Sequence, residues 1–250
     1  MAKQSGLGDQ LFIGGYDIGA DINSIGSLST PRTTLPATGI TKSAMERLYG
    51  TADAQGEFMS YFNDADDQVF EALKSLPTTD VHLMYCRGEA VGNQGFAVQA
   101  KQIGYDPTRG DDGSLLFSTT VQAAAYAGDW GYQLTAGKDS HTTATNGTSV
   151  DLGTGSKSFG WQAYLQVFSF TGTSCTVTLQ ESSDNGSGDA FAAITGGAFT
   201  AATGRTVQRL ASSSATATVE RYVRIATSGT FTECSFAVVF NRNNATRTVS

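Results

Sequence analysis

The sequence predicts a mainly β protein of two domains, on three observations. Its 250 residues hold 29 Gly against 4 Pro, with abundant Thr and Ser, a composition that suits strands and turns better than helices. Apolar residues recur in short runs with a period of two, the spacing that puts alternate side chains on one face of a strand. Charge is unevenly spread: residues 1–138 carry 9 Lys and Arg against 16 Asp and Glu, a formal −7, whereas residues 139–250 carry 7 against 7. An all-β chain of this length can be one unit, but a charge step across a polar stretch favours two. The hydrophobic fraction of 40% is ample for a core.

Taken in order, Lys3, Ser5, Gly6 and Gly8 imply a mobile start, and Gln10, Leu11, Phe12 and Ile13 make a first short strand. An irregular apolar series follows through Tyr16, Ile18, Ile22, Ile25 and Leu28, then a loop marked by Thr and Pro over residues 29–39. Residues 41–48 suit two helical turns, with Thr41 as N-cap and Gly50 as the stop. GEFMSYF, residues 56–62, alternates as a strand. Val69, Phe70, Leu73 and Leu76 then recur at helical spacing, with Asp64 placed to cap and Asp66 and Asp67 in a first turn where the helix dipole favours negative charge. Pro77 stops that helix, and residues 80–86 form the next strand.

The most organised stretch is residues 95–130, which predicts a long hairpin. Phe96, Val98, Ala100 and Gln102 share one face of its first arm; Leu115, Phe117, Thr119, Val121 and Ala123 share one face of its second. Asp106-Pro107 and Gly110-Asp111-Asp112-Gly113 supply turn residues, and Pro107 argues against a central strand there, so the expected tip spans residues 106–113. Such a tip is either a surface loop or an arm that reaches a neighbour.

Residues 133–157 are rich in Thr, Ser, Gly and Asn, a composition that builds no core, and His141 within them is expected to be solvated. The expected division is therefore a first domain over residues 1–140, a linker over 141–157 and a second domain over 158–250. From Ser158 onward the pattern is that of a β-sandwich, jelly-roll or immunoglobulin-like, with strands at 162–170, 175–180, 206–210, 221–226 and 234–240. Phe191, Ile194 and Phe199 add core from the intervening loops, and residues 241–250 read as a polar tail.

The chemistry of catalysis is missing from this pattern. There is no nucleophile elbow, phosphate-binding loop, zinc-protease helix or dinucleotide fingerprint, so neither catalytic residues nor a cofactor is expected. The acidic run at Asp64, Asp66 and Asp67 lacks the glycine and terminal glutamate of a calcium loop, and Cys86, Cys175 and Cys234 stand too far apart for a zinc site, so no metal is expected. Cys175 and Cys234, each opening an alternating apolar run, are expected to be buried thiols in preference to a disulfide, the odd count suits a reducing cytoplasm, and His82, alone on its strand, is expected to be structural. The N-terminus has no apolar signal segment and no run of residues could span a bilayer, which predicts neither export by the ordinary route nor a membrane location. An acidic balance also argues against gripping nucleic acid. Trp161 and Tyr164 are the obvious aromatic candidates for stacking on a sugar in the second half, with core packing as the other explanation.

The order of elements and the phrases GEFMSYFND, VHLMYCRG, AKQIGYDPTRGDDGSLLFSTTVQAAA and LTAG make the first half resemble the major tail proteins of long-tailed phages of actinobacterial hosts. That resemblance implies a β-barrel or sandwich with one packed helix, assembled as hexameric rings stacked into a tail tube, without enzymatic activity. The partners it implies are further copies of the chain and other tail proteins, with viral DNA passing down the lumen unbound. It places the protein in the virion tail, made in the host cytoplasm. The second half resembles the β-sandwich modules that decorate such tubes or capsids, and a decoration or glycan-binding protein is the alternative. Under the tube reading the first half's acidity repels DNA phosphates; six copies carry roughly −42 formal charges per ring. The hairpin tip then becomes the candidate subunit contact, through Asp106, Arg109, Asp111 and Asp112.

Overall fold

The computed structural model describes residues 5–153 and 155–245; the predicted mobile start at Lys3 and the last five residues of the predicted tail lie outside the described residues. The first half consists of β1 (Gln10–Ile13), β2 (Tyr16–Asp17), a 3-10 turn (Gly19–Asp21), β3 (Ile22–Ser29), β4 (Arg32–Pro36), β5 (Arg47–Ala52), β6 (Gln55–Tyr61), α1 (Val69–Leu73), β7 (Val81–Cys86), β8 (Gln94–Arg109), β9 (Leu115–Ala123) and β10 (Asp129–Gln133). The second consists of β11 (Asp139–His141), β12 (Val150–Asp151), β13 (Lys157–Ser158), β14 (Trp161–Ser182), β15 (Ala192–Ala198), β16 (Thr206–Ala211), β17 (Thr218–Val219) and β18 (Tyr222–Arg242). The chain is mainly β with one short helix, as the composition predicts.

A single antiparallel sheet runs in the order β2, β1, β7, β8, β10, β18, β14, β15. The length of β8 lets it serve two neighbourhoods. Its first residues pair with β7 on one side and β10 on the other, and from Ala100 onward it pairs with β9, which carries β6 and then β3.

Alternation along these strands builds three clusters. Leu11 and Ile13, Val81 and Leu83, and Phe96, Val98 and Ala100 point one way and are closed over by Phe58, Val121 and the helix residues Val69 and Leu73. The intervening residues Phe12, Met84, Cys86 and Ala97 point the other way and meet Tyr164, Phe168, Ala237 and Val239 of the second half. The opposite faces of β14 and β18 carry Ala163, Leu165, Val167, Phe236, Val238 and Phe240 into a third core with Val177, Leu179 and Phe199. β14 and β18 are thus apolar on both parities because both faces are covered. Gln166, fully buried, knits the layers: its side chain donates to the carbonyls of Phe12 and His82 and accepts the Gly15 N–H.

Several expectations change. The strands expected at 162–170 and 175–180 are one strand, β14, and those at 221–226 and 234–240 are one strand, β18, paired from Trp161–Arg242 to Ser182–Tyr222 with bulges near Val167, Thr171 and Gly172. Gly172 (φ 152°) and Gly229 (φ 118°) look like turn residues in the sequence but bend a continuous ladder. A Cβ at Gly229 would stand 2.2 Å from the Ser174 carbonyl oxygen. Gly229→Ala is therefore expected to destabilise the fold by about 2 kcal/mol or more, combining a clash with a backbone angle L-residues avoid. An unchanged denaturation midpoint would show that the bend relaxes freely.

The helix expected at 41–48 is absent, and the loop expected at 29–39 contains a strand: β4 and β5 pair as a separate two-stranded ribbon, Arg32 opposite Ala52 and Pro36 opposite Arg47. Two turns of helix with no face to bury do not pay the nucleation cost, whereas Thr33, Thr34, Tyr49 and Thr51 favour extended pairing. The loop closes through the Ala37 N–H on the Glu46 carbonyl and the Glu46 N–H on Thr38 Oγ1. α1 ends at Leu73, short of Pro77, and Asp64 does not cap it. The N–H of Val69 instead donates to Asp21, a buried carboxylate that also accepts the Asn63 amide at 2.8 Å.

In the polar stretch β11 and β12 pair with β18, and Val150 and Leu152 are buried. His141 is not solvated: its side chain is 9% exposed, its ring lies 5.0 Å from that of Phe236, and Nδ1 contacts Thr227 Oγ1. Cys175 and Cys234 are free and buried, as expected, and so is Cys86.

Candidate subunit interface

Two ribbons extend from the first half. One is the predicted hairpin. Its strands continue further than expected: Asp106 pairs with Ser118, Pro107 with Phe117 and Arg109 with Leu115, so the turn proper is residues 110–114. Pro107 is tolerated because β7 stops pairing at Ala100, which leaves that side of β8 an edge. The ribbon is stiffened by Tyr105 stacked on Phe117 at 4.5 Å and by Phe62 packed between Phe117 and Phe70.

Asp106, Arg109, Asp111 and Asp112 are all exposed. Asp112 accepts the Ser114 N–H at 2.9 Å, and this bond holds its carboxyl below the usual carboxylate range. Among the described residues, Asp106, Arg109 and Asp111 form no ion pair or side-chain hydrogen bond within the chain. The four are gathered at one end of one ribbon and are not brought onto any other functional group.

The second ribbon, β4–β5, was not legible as a contact surface. Every residue from 31 to 49 is exposed. Leu35, Ile40, Met45, Leu48 and Tyr49 are each 54% exposed or more, with Ile40 fully so. An isolated two-stranded ribbon is marginal in water. The strand-favouring Tyr49 and Thr51 were outweighed in the sequence by helix-forming Met45, Glu46 and Leu48.

The remaining candidates are structural. His82 is buried, its Nδ1 has no partner, its ring stands edge-on to Tyr164, and burial lowers its pKa to about 4. Trp161 and Tyr164 are each 1% exposed, so neither can stack on a sugar; the Tyr164 hydroxyl donates to Asp129 at 2.8 Å. A cavity of about 490 Å³ lies between the root of the β4–β5 ribbon and the second half, lined by Arg32, Tyr126, Gln162, Arg209 and small residues. Arg209 stacks on Tyr126 there, 3.8 Å from the ring centre. No group of three His, Cys, Asp or Glu among the described residues could hold a metal ion, and no helix among them is long and apolar enough to cross a membrane.

No protein-family model and no curated protein matches the chain. Among solved structures, the tail of an empty gene transfer agent particle with C6 symmetry is similar over 50% of this chain and 97% of its own, at 14% identity and a TM-score of 0.40. A chain of an extracellular contractile injection system, from its sheath/tube terminator, is similar over 52% and 98%, at 10% identity and 0.42. The Dit protein of phage SPP1 is similar over 94% and 99%, at 10% identity and 0.33.

Proposed function

We propose that this chain is a structural protein of a bacteriophage tail and that it builds the tail tube as stacked hexameric rings with an acidic lumen. The observation that carries the reading is the β4–β5 ribbon: residues 31–49 are exposed throughout and display five large apolar side chains that the subunit itself leaves uncovered. A protein that works alone has no use for such an arm, whereas an assembling subunit buries it against its neighbour. The sequence phrases of the first half and the concentration of all net charge in residues 1–138 support the same reading. Its negative surface keeps DNA mobile instead of bound.

In this reading the first domain, residues 1–140, forms the rings, residues 141–157 lie along β18 as the connection, and the second domain, residues 158–250, sits outside. The separate cores of the two halves support that division, and their shared cluster fixes one half on the other. The partners are then other copies and other tail proteins.

Electron microscopy of the purified protein tests the reading: rings or tubes are expected, and a persistent monomer at high concentration that binds only to capsids would replace it with the decoration role. The hairpin tip supplies a sharper version. Because Arg109 faces Leu115, residues 110–114 can be exchanged for Asn-Gly, which suits a two-residue hairpin turn. Removing Asp111 and Asp112 in this way is expected to leave thermal melting within about 2 °C and to cut tube yield, read by sedimentation, severalfold. Normal yield would make the tip a plain surface turn.

A further inference from the structure

We infer that the β4–β5 arm of one copy docks on the β8–β9 hairpin end of a second copy, so that the chain polymerises head to tail. The inference rests on the tail-tube reading for its context and goes beyond it by naming both surfaces.

The first argument is position. Strand β6 ties both ribbons to one sheet. At its start Gln55 pairs with Ser29 and Gln122, beside the root of the arm. At its other end Tyr61 pairs with Leu116, beside the turn of the hairpin. Seven residues of strand separate these points by about 20 Å. The two ribbons therefore leave the sheet at opposite ends.

The second argument is chemistry. Between residues 32 and 52 the arm carries Arg32, Lys42 and Arg47 against Glu46 alone, a formal +2, although it belongs to a half whose total is −7. Lys42 pairs with Glu46 at 2.9 Å, which leaves Arg32 and Arg47 without an ion pair among the described residues. The hairpin end is its complement. Tyr61, Phe62 and Leu115 are 40–49% exposed there. They are joined by Asp106, Asp111 and Asp112 of the hairpin and by Asp64 and Asp66, which continue the chain from Phe62; Arg109 is the one cation of this group. Each surface thus joins exposed apolar side chains to unspent charge of one sign, and the signs are opposite.

These facts select the occupant. Arm against arm would set +2 against +2, and hairpin end against hairpin end would oppose carboxylates. A heterologous contact between unlike surfaces satisfies both. Surfaces at opposite ends of one subunit leave a free arm and a free hairpin end after every addition, so the contact propagates instead of closing as a dimer.

The test places a benzophenone photocrosslinker at Ile40 of the full chain. Equal amounts of isotope-labelled and unlabelled protein are mixed, irradiated and mapped by mass spectrometry. The expected product joins Ile40 to peptides containing residues 61–66 or 106–116 of a different copy. Arg47→Glu should reduce that product at least tenfold, and a partner carrying Asp111→Arg and Asp112→Arg should restore it. Crosslinks to any other surface, crosslinks within one copy, no crosslinks, or no recovery on charge exchange would overturn the docking. Tubes whose Ile40 crosslinks elsewhere would leave the tail-tube reading standing without this contact. Crosslinks to the hairpin end in short oligomers that never form tubes would keep the contact and remove the tube.

Discussion

Lowering the pH from 7 to 5 is expected to cost the fold about 2 kcal/mol through His82 alone. The imidazole is buried between the first and second halves, with its Nδ1 unpartnered. Burial is the largest influence on it; Asp80 pulls its pKa up, nearby Arg209 pushes it down, and a hydrogen bond to the Gln208 backbone opposes burial weakly. The folded pKa is about 4 against 6.5 for a free histidine. Between these values the unfolded chain binds the proton and the folded chain does not. Stability is therefore full above about pH 6.5, falls as pH drops through the window, and bottoms out below pH 4 with a loss on the order of 3 kcal/mol. Urea unfolding at pH 7 and pH 5 measures it, with His82→Gln as the control whose difference should shrink by most of that amount. Glu181, whose carboxyl is held above its usual range by burial, acts in the opposite sense, so the comparison between variants is the decisive quantity. An equal loss in both proteins would assign the acid sensitivity to other groups.

Arg242→Met should be comparably damaging, by about 2–4 kcal/mol. The guanidinium of Arg242 is buried at the end of β18 and donates to three carbonyls: Gly155 at 2.8 Å, Glu220 at 2.9 Å and Leu152 at 2.7 Å. Two of these belong to the polar stretch before the second half, so one side chain pins that stretch to the sheet. Methionine fills similar volume but leaves the carbonyls without that donor. Besides a lower denaturation midpoint, limited proteolysis should open the chain first within residues 152–157. A variant as stable and as resistant as the parent would show that water replaces the guanidinium without loss.

How much of this was legible depended on whether a residue's role was set by near neighbours. The strands at Leu11–Ile13, Phe58, Leu83, Phe96–Val98 and Phe117–Val121 could be read because period-two burial is a local property. Both parities of Phe236, Ala237, Val238, Val239 and Phe240 are apolar, which signals a strand covered twice, though not by what. The cap of α1 was out of reach: Asp64 stands at the right spacing, yet the carboxylate in place comes from Asp21, 48 residues before Val69. Arg242 sits in what reads as a polar tail, and only the fold brings three carbonyls to it. Of the candidate interface, the hairpin end was visible in its turn residues. The arm was not, because a ribbon with no core side carries no burial pattern.

The pairing of β18 also sets a timetable for the newborn chain. β18 is synthesised after every strand it joins, and it is the shared neighbour of β10, β11, β12 and β14. The first core, whose buried members all lie between Leu11 and Val121, can close while translation continues. Until β18 emerges, Phe12, Met84, Cys86 and Ala97 have no Ala237 or Val239 to meet, and β10 lacks its outer partner. The nascent protein therefore waits with one bare sheet face and one open edge, and completing it demands contacts more than a hundred residues apart in sequence, which slow β-rich folding. Ribosome-bound chains ending before residue 222 should be the species that chaperones hold.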